Sequence, residues 1–160
     1  MPSKIKLATV IAAICIAAAM APLANAAPTD DACSVLTPAQ IGAAVNTPGD
    51  AGTYLTPTFK KTGTWTATGS AATDVKFVTL MVQKVEAFLG GKAMGQMKNI
   101  IVTPASGVGD DAYYLAVGDN AGLIVKKGNA AFKVAVYATI PLEKKEALEK
   151  TLALLIVAKL

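Results

Sequence analysis

Histidine and arginine are both absent: the 160-residue chain carries 15 basic residues, and all of them are Lys. Without His there is no Ser-His-Asp or Cys-His nucleophile activation, no imidazole proton shuttle near neutral pH, and no His-based zinc or copper site. Without Arg there is no bidentate fork for phosphate or a guanine edge, so nucleic acid is not expected as a partner. Cysteine is scarce, with only Cys15 and Cys33, and aromatic residues make up 6% of the chain. These absences remove most catalytic chemistry, and the expectation is a protein that is not an enzyme.

What is present begins with a leader. Lys4 and Lys6 precede an Ala/Ile-rich apolar stretch, Leu7 to Leu23, broken only by Thr9 and Pro22 and followed by Ala24-Asn25-Ala26. A positive n-region, a short apolar core and an A-x-A pattern predict a secretory signal peptide over residues 1–26, with Ala24 and Ala26 forming the peptidase site. The apolar stretch falls short of the roughly 20 residues that span a bilayer, so no membrane span is expected after cleavage. A lipoprotein reading fails because Cys15 follows Ile14 and lies inside the apolar stretch. Residues 27–160 are then a single exported domain, periplasmic or secreted, long enough to bury roughly two-thirds of its unfolded surface. Cys15 departs with the leader, leaving Cys33 without an internal disulfide partner. The formal net charge of +4 includes the two leader lysines, so the exported part is close to neutral.

Residues 27–32 read as a polar, frayed start. Thr37-Pro38-Ala39-Gln40 reads as N-cap, Pro at the first helical position and a Gln closing a capping box, opening a short helix that Asn46-Thr47-Pro48-Gly49 stops. Ten Thr fall among the 33 residues from Thr47 to Thr79, interleaved with Tyr54, Phe59, Trp65 and Phe77, which predicts strands with turns at Lys61-Thr62-Gly63 and Thr68-Gly69-Ser70. Val75 to Val82 has the apolar run of a central strand. Gln83 to Lys98 has helical spacing interrupted by Gly90, Gly91 and Gly95, so that helix is weak, broken or pressed closely against a neighbour. Tyr113 to Val117, Gly122 to Lys127 and Ala131 to Thr139 form a meander with turns at Gly118-Asp119-Asn120 and Gly128-Asn129. Pro141 opens a last helix, with Glu143 to Glu146 on its exposed face, a Glu146–Lys150 pair, and Leu148, Leu152, Leu155 and Ile156 as its buried stripe. The order predicts an α+β fold: a two-layer sandwich of antiparallel sheet and helices, with the helices on one face and a C-terminal three-strand meander.

Four segments resemble a family of small, uncharacterised exported bacterial proteins, many of them lipoproteins. They are Ala32 to Ala39, Lys61 to Thr66, Gly107 to Tyr114 and Val125 to Asn129, in that order. The resemblance implies export and an α+β fold, but no established activity; it is a domain of unknown function. Members usually carry a second Cys just before the Trp, where this chain has Thr64. The disulfide that the family implies, tying the first helix to a strand, cannot form here, and loss of such a link typically costs 2–5 kcal/mol.

Each candidate site has a plain structural alternative. Cys33 reads as an intermolecular disulfide making a homodimer, a reactive thiol, or an inert buried relic. Met94 and Met97, with Met81 near in sequence, have thioether spacing suited to Cu(I) or redox chemistry, or else fill core space; no cofactor is assigned. Asp110, Asp111, Asp119 and Asn120 could gather around Ca²⁺ or serve turns. Trp65, Tyr113 and Tyr114 could line a groove or sit in the core. Ser34, Ser70 and Ser106 lack a G-x-S-x-G or S-x-x-K context. Lys60-Lys61, Lys126-Lys127 and Lys144-Lys145 read as solvated ends. The expected function is an exported, non-catalytic module that binds a protein or small ligand.

Overall fold

The computed structural model describes residues 30–68 and 75–160. The expected leader with Ala24 and Ala26, and the expected turn at Thr68-Gly69-Ser70 from Gly69 on, lie outside the described residues. The elements run α1 (Ala32–Val35), α2 (Pro38–Val45), β1 (Thr53–Thr56), β2 (Phe59–Thr66), β3 (Val75–Gln83), α3 (Val85–Ala93), a 3-10 turn (Met94–Gln96), β4 (Ile101–Ala105), β5 (Asp111–Val117), β6 (Asn120–Lys127), β7 (Ala130–Ala138) and α4 (Leu142–Val157). All seven strands form one sheet in the order β1-β2-β3-β7-β6-β5-β4, and every neighbouring pair is antiparallel.

Two meanders meet at the β3–β7 joint. β1 to β3 turn back on one another in sequence order, and so do β4 to β7. The chain reaches the far edge by carrying α3 across the back of β7, β6 and β5. Gly118 and Gly128, at φ 58° and 56°, hold the first central positions of the two-residue turns that close Val117↔Asn120 and Lys127↔Ala130. A positive φ at that position is what a type II′ hairpin demands.

The predicted capping box is present. The Thr37 hydroxyl accepts the Gln40 amide at 3.2 Å, and the Gln40 side chain accepts the Thr37 amide at 3.1 Å. Strand alternation sends Val78, Leu80, Leu123, Val125, Phe132, Val134 and Val136 to the front face, where they pack with α1, α2 and with Leu152, Ala153 and Ile156 of α4. This is the expected α+β sandwich with its C-terminal meander.

Several local expectations are corrected. The helices do not all share one face: α3 packs on the back, seating Phe88 against Tyr113, Ile124 and Ala131. To carry the chain from β3 past β7, β6 and β5 to the edge strand β4, the connection must cross one face of the sheet, and it takes the face opposite α1, α2 and α4. Lys61-Thr62-Gly63 is not a turn but the middle of β2, and the turn falls at Pro57-Thr58. Gly63 is there because a Cβ would stand 2.9 Å from the Cys33 Sγ and 3.0 Å from the Trp65 ring. The start expected to be frayed ends in α1, capped by Asp31, whose carboxylate accepts the Ser34 amide. β4 was not anticipated because Pro104 lies within it, and its edge position tolerates a residue with no N–H. Lys145, expected on the exposed face of α4, is 4% exposed, and Glu149 one turn on is fully buried. The ion pairs among the described residues are Lys61–Asp30, Lys92–Asp111 and Lys127–Asp110, and the expected Glu146–Lys150 pair is not among them.

The glycines of α3 differ in environment. A Cβ on Gly90 would meet open space, whereas one on Gly91 would collide with the Tyr113 hydroxyl. That phenol is buried and donates to the Phe88 carbonyl at 2.8 Å. Gly90→Ala is therefore expected to stabilise the protein by roughly 0.5–1 kcal/mol, and Gly91→Ala to destabilise it by about 1–3 kcal/mol. Thermal melts of the two variants check this, and shifts of the same sign would contradict the packing.

Candidate functional site

A cleft of about 570 Å³ opens where β3 runs into α3, bordered by the β6–β7 turn. Its position follows from register. Gln83 of β3 stands opposite Ala131 of β7, which stands opposite Lys126 of β6. A small residue thus separates two long polar ones across three strands, and the chain turns into α3 directly after Gln83. Lys84 and Lys61 add two more amines to the lining, and Gly128 and Asn129 contribute turn backbone.

The lining is rich in donors. The Gln83 Nε2 is buried and has no hydrogen-bond partner among the described residues, and Lys84, the N-cap of α3, provides no side-chain acceptor for the first turn. On the acceptor side, Asp30 is engaged with Lys61 at 3.1 Å, and Glu86 belongs to the first turn of α3. Such a site can hold a small molecule bearing acceptor oxygens. Sequence reasoning missed it by treating each lysine pair as a solvated end, because only the β3–β7 joint brings Gln83 and Lys126 to either side of Ala131.

The residues singled out from sequence are dispersed. Cys33 is half-buried between α1 and β2. Burial first, then the Asp31 carboxylate, push its thiol above the ordinary value, against a hydrogen bond from the Thr64 backbone. That environment disfavours the thiolate. The position whose Cβ faces this sulfur is 63, while the side chain of Thr64 belongs to the opposite face of the strand. Met94 and Met97 are exposed at 38% and 56%, so they are not core filler. Met81 is on β3, separated from β4 and the adjoining 3-10 turn by three strands, so the three thioethers do not converge.

The acidic group also divides. Asp110 accepts the Gly128 amide at 2.6 Å and the Lys127 amine at 3.0 Å. These bonds hold its carboxyl below the usual range. Asp111 pairs with Lys92 at 2.7 Å. Asp119 and Asn120 lie at the other end of β5, so the four do not gather at one end of the meander. Among the described residues no group of three or more His, Cys, Asp or Glu is placed to hold a metal ion. Trp65 and Tyr113 are core residues on opposite faces of the sheet, and Tyr114 donates its hydroxyl to the Glu146 carbonyl at 3.0 Å, so no aromatic groove forms from them. The Ser34 hydroxyl donates to the Asp31 carbonyl inside α1, and Ser106 is in the exposed β4–β5 loop.

No helix of the described residues is long and apolar enough to cross a membrane. Comparison with known proteins adds no relative: no protein-family model matches the chain, and no curated protein or solved structure matches it significantly.

Proposed function

We propose that this chain is an exported, non-catalytic binding module whose cleft at the start of α3 takes a small ligand bearing acceptor oxygens, such as a carboxylate or phosphate. The observation that carries this reading is Gln83, which lines a cleft with Lys61, Lys84 and Lys126 and whose buried Nε2 has no hydrogen-bond partner among the described residues. A buried donor left without a partner costs about 1–3 kcal/mol, and a ligand oxygen relieves that cost. Export is supported by the leader pattern and by the resemblance to exported bacterial proteins. The non-catalytic character is supported by the lack of His, which leaves no imidazole base for a serine, and by the engagement of Ser34 with Asp31 in the cap of α1.

Titration with citrate, inorganic phosphate and, as a neutral contrast, glucose tests the proposal by following the Gln83 side-chain amide in ¹⁵N NMR spectra. The expected result is a saturable shift with an acid and none with the sugar. Lys126→Gln should weaken that binding about tenfold. Shifts scattered over all surface lysines without saturation, or no shift at Gln83, would refute it.

A further inference from the structure

β7 loses one neighbour before it ends. Its pairing with β6 stops at Leu123↔Val134, while its pairing with β3 continues to Val75↔Ala138. Into the seam comes Glu149 of α4, fully buried, whose Oε1 accepts the Val136 amide at 3.0 Å and whose Oε2 has no hydrogen-bond partner among the described residues. The charged groups that bear on it are Lys145 and Glu146 from its own helix and Lys133 from β7. From β5 comes Tyr114, held on the Glu146 carbonyl, and the adjoining part of β6, Ala121 to Leu123, brings no titratable group. Lys145 is itself buried, with its amine donated to the Asp119 carbonyl at 2.6 Å. No cation forms an ion pair with Glu149 among the described residues. An acid so placed is held most cheaply as the neutral carboxyl.

We infer that the α4–β7 seam is a proton-operated latch, closed on the neutral carboxyl of Glu149 and opening locally with release of that proton to water. Burial, the largest influence, pushes this carboxyl up to about 7 from an ordinary value of 4.5. The folded value lies above the open one, so the closed seam has its full advantage below the ordinary value. It loses that advantage as pH rises from there to about 7, and changes no further above it.

Amide hydrogen exchange, corrected for its intrinsic pH dependence, tests the latch in the intact protein. The protection factor of Val136 should fall by up to tenfold per pH unit between about pH 4.5 and 7 and then level off. It should also be smaller than that of Leu80 in the core, marking a local opening rather than global unfolding. In Glu149→Gln, which keeps an acceptor for the Val136 amide, the slope should vanish. Equal protection at Val136 and Leu80, or the same slope in the variant, overturns the latch. So does a ¹³C titration placing the wild-type Glu149 carboxyl in the ordinary acid range, a measurement that needs no variant.

Discussion

Glu149→Gln should make the protein more stable at pH 8 by roughly 3 kcal/mol while leaving its stability near pH 4 almost unchanged. The estimate follows from a carboxyl raised from 4.5 to about 7 by burial, with the backbone hydrogen bond from Val136 opposing the rise. Unfolding releases the proton across that interval, so the native state loses stability as pH climbs through it and nothing more above. Removing the ionisable group removes the loss. Urea denaturation of both proteins at a series of pH values reads the effect directly, and parallel pH profiles would show that the carboxyl is ionised in the native state at neutral pH.

Trp65→Ala should cost about 3–5 kcal/mol, the range for truncating a large buried aromatic. Trp65 is 1% exposed and is packed tightly by backbone. A Cβ on Gly52 would lie 2.7 Å from its Nε1, and one on Gly63 would lie 3.0 Å from its ring. Surroundings held this closely by strand backbone collapse poorly around a void. Trp65→Phe should cost much less, since the indole N–H is buried without a partner among the described residues and its removal forfeits no hydrogen bond there. Far-UV circular dichroism melts compare all three chains. Equal losses in the two variants would mean that hydrogen bonding, not packed volume, is what Trp65 supplies.

Where a local pattern is sufficient, the structure could be read from the sequence. Thr37 to Gln40 specifies its own cap, and Gly118 and Gly128 specify their turns. The α+β class follows from such local units. What escaped reading depends on pairs distant in the chain. Gly63 resembles a turn residue until Cys33 and Trp65 are seen to occupy its Cβ space. Pro104 disguises β4 until β4 is known to be an edge. Lys145 reads as solvated among Glu143, Lys144 and Glu146, although its spacing from Leu152, Ala153 and Ile156 places it on the buried stripe of the helix. The cleft was the least accessible, because Gln83 and Lys126 come to line one cleft only through the register of β3, β7 and β6.

The crossing of α3 behind the sheet also bears on the order in which the molecule assembles. Each meander closes through short turns, but every pairing at the β3–β7 joint closes a loop of roughly fifty to sixty residues. Local contacts form fast and distant ones slowly. The two halves can therefore take shape separately, with β3 and β7 as extra unpaired edges, before these two strands find each other. Until then both edges are open to other chains, and the middle of the finished sheet is the place where the folding polypeptide is most exposed to mispairing.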